Sequence, residues 1–150
     1  DFCYSLGADE VVQYSKEDFH HAFRSKDEKR GVDLILDMIG GDYFEKNLDL
    51  LNEEGRLINI AFLNGNYVKL NLSQLMMKRI TLTGSTLRPR TVEFKSKVAG
   101  ELLQTVWPLL EDNKVRVHID SSFPLEKFKD AHVRMESGNH VGKIILSLDQ

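Results

Sequence analysis

The sequence predicts an α/β fold built on an open parallel sheet, and three observations carry that reading. First, Gly31-Val-Asp-Leu-Ile-Leu-Asp-Met-Ile-Gly-Gly41 contains a short apolar run, Val32 to Ile39, closed by two glycines. That is the pattern of a parallel strand buried on both faces. Second, the construction recurs as Gly55-Arg-Leu-Ile-Asn-Ile-Ala61 and as Ile80-Thr-Leu-Thr-Gly-Ser-Thr86, each after a helix-like spacer. Third, taking Val11, Asp33, Arg56 and Ile80 as strand starts, the spacings are 22, 23 and 24 residues. Crossovers of that length join parallel strands. No residue motif recurs from unit to unit, so the rhythm is not a repeat array.

Each element has a local justification. Asp1 to Leu6, followed by Gly7, has the form of a helix tail with a glycine just beyond it. Glu10-Val-Val-Gln13 is expected as a short strand, with Tyr14 at its far end. Ser15-Lys-Glu-Asp18 has capping-box form, and Phe19, Ala22 and Phe23 supply the apolar face of the next helix. The charged run Arg24 to Arg30 reads as a solvated face and turn. After the strand Val32 to Ile39, Asp42 is placed to cap a helix through Tyr43, Phe44, Leu48 and Leu51. Asn64-Gly-Asn66 is a turn signal. Asn71, with Gln74 three residues on, opens a short helix carrying Leu72, Leu75 and Met76. Thr91 to Asn113 is the longest helical stretch, which Pro108 should kink or end near Trp107. Val115 to Phe123 reads as extended. Leu125, Phe128, Ala131, His132 and Met135 mark an amphipathic helix closed by Gly138, and Lys143 to Leu148 is a final strand.

Composition excludes several function classes. The chain has 150 residues, 41% hydrophobic and 29% charged, which fits an ordinary globular domain. A net charge of −3, with both signs mixed throughout, leaves no nucleic-acid footprint or membrane-surface patch. No apolar run approaches the ~18 residues that a membrane span requires. The first residues lack the basic start and apolar core of a signal peptide. The single cysteine, Cys3, suits a reducing compartment, so a cytoplasmic location is expected.

Familiar catalytic motifs are absent. No Gly-x-Gly-x-x-Gly or Gly-x-x-x-x-Gly-Lys occurs, so the chain carries no complete phosphate cradle. Gly40-Gly41 follows a strand, as part of such a cradle or as a tight strand-to-helix turn. His20, His21, His118, His132 and His140 are scattered, with one thiol and no His-x-x-x-His pair, so no spacing supports zinc. No Gly-x-Ser-x-Gly elbow is present. Glu53-Glu54 reads as exposed helix-end charge rather than a catalytic dyad. What remains is geometric. In a parallel sheet, Tyr14, Asp37 to Gly40, Ala61 to Leu63 and Thr86 to Arg88 all emerge at one rim, where ligands of open α/β sheets sit.

Leu6-Gly-Ala-Asp with Gln13-Tyr14, the Gly31 to Gly41 segment, Gly55-Arg-Leu-Ile and Gly142-Lys-Ile-Ile-Leu146 together resemble zeta-crystallin-type quinone oxidoreductases. These form the zinc-free branch of the medium-chain dehydrogenase/reductase superfamily. Thr83-Gly-Ser-Thr-Leu-Arg-Pro-Arg90 and Ala131-His132 strengthen the likeness. The resemblance implies NADPH-dependent hydride transfer to a quinone or another α,β-unsaturated carbonyl, with no metal and no protein acid or base. Carried over by position, Tyr14 lies near the adenosine ribose or its 2′-phosphate. Met38, Ile39 and Gly40 line the cofactor, and Ala61, Phe62 and Leu63 flank the ribose and nicotinamide. Thr86, Leu87 and Arg88 approach the carboxamide, and His140 occupies a further contact position.

The resemblance also implies a partial Rossmann-like doubly wound parallel sheet lacking its first two strands, plus a C-terminal helix–strand segment. Residues 1–117 form the incomplete nucleotide-binding domain, and 118–150 return toward an absent substrate domain. The chain then reads as a C-terminal portion of a longer enzyme, inactive alone. The strand Val32 to Ile39 would lose the first strand that should pair with it, so either Glu10 to Gln13 slides in beside it or another chain covers its edge. A homodimer through Ile80 to Thr86 is also implied. Two alternatives stand beside this reading: a doubly wound methyltransferase and a non-enzymatic interaction module. An acidic strand end and the Leu50-Leu51…Glu54-Gly55-Arg56-Leu57 segment fit the methyltransferase. The helix-then-strand order of Leu125 to Leu148 argues against it.

Overall fold

Asp1 begins the chain with a single helical turn, α1 (Phe2–Ser5), after which Gly7 takes a left-handed φ of 95°. The computed structural model describes residues 1–27 and 31–148. Contacts divide it into two units, Asp1–Pro89 and the residues from Arg90 onward.

The strand expected over Glu10–Gln13 does not form, and the segment is irregular. A short β-branched run takes strand geometry only beside a strand that shares its hydrogen bonds; among the described strands none pairs with it, and the Val11 N–H donates to the Tyr4 hydroxyl at 3.2 Å. Helix α2 (Phe19–Arg24) follows. Its cap is Asp18 rather than Ser15, since the Asp18 carboxylate accepts the His21 N–H at 3.0 Å. The charged run therefore begins at the end of α2, and its last three residues lie outside the described part.

Strand β1 (Val32–Asp37) leads through Gly40-Gly41 into α3 (Tyr43–Leu50), and β2 (Leu51–Asn59) begins at once. The sequence placed Leu51 at the end of the helix, four residues before the strand. Instead Leu51 pairs with Val32, and Leu34 next pairs with Arg56, so the intervening segment loops out of register. Glu53 and Glu54 sit on this outward loop, each ion-paired to Arg79 at 3.1 and 3.2 Å, and form no dyad. Helix α4 (Leu72–Lys78) is capped as expected, with Asn71 accepting the Ser73 and Gln74 N–H groups. Strand β3 (Thr81–Gly84) completes a parallel sheet in the order β1-β2-β3.

One face of this sheet holds the core of the first unit. Phe44 and Leu48 of α3 pack with Leu51, Leu57 and Ile80, and Val32, Ile35, Leu75 and Leu82 close around them. Each fully buried leucine contributes about 2 kcal/mol. On β1 the opposite face is bare: Leu34 is 59% and Leu36 60% exposed. Among the described residues β1 pairs with β2 alone. The expectation that Glu10–Gln13 would slide in beside it fails with the missing strand.

In the second unit, Thr91 caps α5 (Val92–Thr105) by accepting the Phe94 N–H. A break at Val106 separates it from α6 (Trp107–Glu111), with Pro108 in the first turn of the new helix. The proline thus starts a helix rather than merely ending one, as its fixed φ and missing N–H allow. Strand β4 (Ile119–Pro124), a 3-10 turn (Leu125–Lys127), α7 (Phe128–Glu136) and β5 (Lys143–Ser147) form a parallel pair with its crossover. The extended stretch begins four residues later than expected, at the first residue with a partner strand.

Candidate functional site

The carboxyl ends of β1, β2 and β3 align side by side, because Asp37 is level with Asn59 and Asn59 with Gly84. Three of the four strand ends expected at one rim are therefore there. The backbone continues to zip beyond the strands. Ile60 N–H donates to the Asp37 carbonyl at 2.8 Å, Leu63 N–H to Met38 at 3.1 Å and Asn64 N–H to Ile39 at 2.8 Å. The loop after β1 and the loop after β2 thereby form one wall.

Asp37 anchors that wall. It is only 4% exposed, and its carboxylate accepts the N–H of Ile39 at 2.7 Å and of Gly40 at 3.2 Å. Its Oδ2 also takes an N–H from the Asn59 side chain at 3.1 Å. These are the charge-assisted bonds that a buried carboxylate needs. Gly40 and Gly41 then turn the chain at φ 67° and 50°. A Cβ on Gly41 would lie 2.1 Å from the Asn64 carbonyl oxygen, so the close approach of the two loops requires glycine there.

Both glycine amides are committed, Gly40 to Asp37 and Gly41 to the Gly65 carbonyl at 3.0 Å. The first amides of α3 point back to the same turn, with Tyr43 donating to Gly40 and Phe44 to Gly41, each at 3.1 Å. The glycine pair is a tight strand-to-helix turn whose amides are both engaged.

Beside the wall lies a cavity of about 470 Å³ lined by Val12, Tyr14, Phe19, Ile39, Tyr43, Leu63 and Asn64. Tyr14, Ile39 and Leu63, expected at the site, meet here. Met38 and Phe62 are exposed on the adjoining loops, and Phe62 lies against Gly40. Ala61 is half-buried between Ile60 and Phe62. Thr86, Leu87 and Arg88 follow the end of β3, where Ser85 N–H donates to the Asn59 carbonyl at 3.0 Å. They are exposed and do not line this cavity. His140 belongs to the second unit, where its Nδ1 is buried without a hydrogen-bond partner among the described residues.

Sequence reasoning missed Val12, Phe19, Tyr43 and Asn64 as lining residues. Their signal was indirect: Phe19 and Tyr43 stack at 4.7 Å between centroids, bringing α2 against α3. The contact is reinforced by the Asp18–Lys46 ion pair and by His20 and Arg24 on Asp49, at 2.7 and 3.1 Å. His20 is therefore a partly buried tether between α2 and α3. The described residues gather no group of three metal-ligating side chains. None of the described helices is long and apolar enough to cross a membrane.

A family model described as "Zinc-binding dehydrogenase" matches residues 6–146. The chain belongs to that family. Quinone oxidoreductase-like protein 2 of Bos taurus is 29% identical to this dehydrogenase-family chain over 143 residues, covering 95% of it. The mouse protein of the same name matches equally, at 29% over 143 residues. The chain spans 40% of the length of these curated relatives. Among solved structures, Escherichia coli quinone oxidoreductase complexed with NADPH superposes with a TM-score of 0.74 at 23% identity, over 96% of this chain and 45% of that one. An NAD-dependent alcohol dehydrogenase superposes at 0.75 with 24% identity, over 97% and 40%. The fold is thus the α/β arrangement of parallel strands found in part of each of these chains. The resemblance to quinone oxidoreductases read from the sequence is borne out.

Proposed function

We propose that this chain forms one wall of the cofactor site of an NADPH-dependent, zinc-independent oxidoreductase that reduces a quinone or another α,β-unsaturated carbonyl. The observation that carries the reading is the alignment of three parallel strand ends beside an apolar cavity at their rim. A cavity of this size and lining suits a flat heteroaromatic ring with one polar edge, for which Asn64 supplies an amide. Bound NADPH supplies the hydride; the protein's part is to hold and orient.

Within that reading, Tyr14, Ile39 and Leu63 grip the nucleotide through side chains, since the neighbouring backbone donors are engaged in the wall. Met38, Gly40, Ala61 and Phe62 continue the same surface, Thr86, Leu87 and Arg88 border it from β3, and His140 is proposed as a further cofactor contact. Residues 1–117 serve as the nucleotide-binding portion and 118–150 lead toward a substrate domain. The committed glycine amides offer nothing to a pyrophosphate, so the chain alone is expected to bind NADPH weakly and to turn over no acceptor. Among the described strands β3 pairs with β2 alone, and we take this edge strand as support for a homodimer through Ile80–Thr86.

The test is a calorimetric titration of the whole protein with NADPH and NADH, with quinone reduction followed by loss of the reduced-nucleotide absorbance. Leu63→Asp places a charge on the apolar wall and should weaken NADPH binding about tenfold. Binding unchanged in that variant, or a whole protein that takes neither nucleotide, overturns the reading.

A further inference from the structure

We propose that Asp37 is a positioning residue, acting with Asn59, that sets the width of the cavity by locking the Ile39–Gly40 turn onto the end of β2. The inference rests on the reading of this cavity as the nucleotide site, and it adds a residue that touches no ligand.

The geometry points to Asp37 for three reasons. It is buried at the carboxyl end of β1, where the strand hands over to the turn. Its two oxygens reach both sides of the wall: Oδ1 takes the Ile39 N–H at 2.7 Å, and Oδ2 takes the Asn59 amide at 3.1 Å. Gly40 N–H lies between them, 3.3 Å from one oxygen and 3.2 Å from the other. Ile39, whose side chain lines the cavity, is thus held at its own amide by a carboxylate rooted in the sheet. Its carbonyl is held in turn by Asn64, another lining residue. Removing the carboxylate frees three donors in a place that water reaches poorly, and the least costly response is for the turn to swing outward.

The pair has a built-in control, because Asp37 only accepts and the Asn59 side chain donates to it. In Asp37→Asn, the introduced amide can keep one oxygen toward Ile39 but turns N–H groups toward Gly40 N–H and the Asn59 amide. In the double variant Asp37→Asn/Asn59→Asp, donor and acceptor are exchanged and the bridge re-forms in reverse. Asn59→Asp alone sets two carboxylates against each other.

The experiment measures amide hydrogen exchange at Ile39 and Gly40 without nucleotide, and NADPH KM and kcat in the whole protein. Asp37→Ala should speed exchange at both amides about tenfold, with Asp37→Asn in between and the double variant within about twofold of the parent. The KM for NADPH should rise in the same order while kcat and the acceptor KM stay within about twofold, the mark of lost uniform binding. If Asp37→Ala does not fold, the comparison of Asp37→Asn with the double variant decides. Unchanged exchange, no rescue in the double variant, or altered exchange with an unaltered NADPH KM overturns the proposal. A parent protein that binds no nicotinamide nucleotide overturns the functional reading instead, and exchange alone then decides the role of Asp37.

Discussion

Asp37 and Asp120 show how differently two carboxylates can be used in one chain. Asp37 is held by amides and shapes a turn. Asp120, in β4, is held by a cation: Arg134 of α7 donates to its two oxygens at 2.9 and 2.7 Å, and the Val141 and Ser121 groups add bonds at 3.0 and 2.9 Å. The Arg134 guanidinium first, and the Val141 amide next, hold the Asp120 carboxyl well below its ordinary value of 3.8. A carboxyl whose folded value is depressed adds stability above the unfolded value, and that stability is lost as pH falls toward the folded one. Acid unfolding below pH ~3.8 should therefore release this tether between β4, α7 and the turn before β5. In Asp120→Asn, thermal melts should show lower stability at neutral pH and a shallower loss on acidification. Equal acid limbs for parent and variant would remove Asp120 from the account. The glycine pair carries a lesson at the same scale: its spacing after a strand was legible, but the destination of its amides was not.

Helix α3 shows how an element is finished by residues far away in sequence. Its last carbonyls have no partners within the helix. Lys78 of α4 supplies them, donating to the carbonyls of Leu48, Asp49 and Leu51 at 3.2, 2.8 and 2.7 Å, and Arg24 of α2 adds a bond to Asp49 at 2.6 Å. Both cations sit at the negative end of the helix. Burial pushes the Asp49 carboxyl up, but the hydrogen bonds from His20 and Arg24 outweigh it and the net shift is downward. Lys78→Met should destabilise the chain by about 2 kcal/mol in denaturant unfolding, through lost charge-assisted bonds at a part-buried helix end. A change of only a few tenths of that would show that water satisfies these carbonyls just as well. Two helix starts were readable, since Asn71 and Thr91 announce themselves by residue type, whereas Asp18 caps α2 in place of Ser15 and Asp42 makes no side-chain cap bond to α3. Strand starts were not, because a strand exists only where a partner lies. Leu51 joined the first sheet early, Ile119 joined the second sheet late, and Glu10–Gln13 joined neither.

Each unit has its own parallel pairing, and among the described residues nothing pairs with the outer edge of β1, whose Leu34 and Leu36 are exposed. Exposed apolar side chains on an edge strand favour association. Leu36→Lys should lower self-association of this chain in sedimentation experiments and leave its melting temperature nearly unchanged, because the side chain is more than half exposed. A large fall in melting temperature would mean that Leu36 is buried in solution. The described residues gather into two compact units, Asp1–Pro89 and the residues from Arg90 onward, a division marked by no linker composition.

By itself, the sequence determined the α/β class, the parallel sense of the sheet, the rim along which strands end and the family resemblance. Those follow from apolar runs, helix-length spacers and motifs, all local in the chain. Only the tertiary structure decided where the backbone donors go, which side chains enclose the cavity, and that Asp37 and Asn59 join two loops 22 residues apart. Such features depend on which segments meet across space, and a pattern read along one dimension carries no record of the partner.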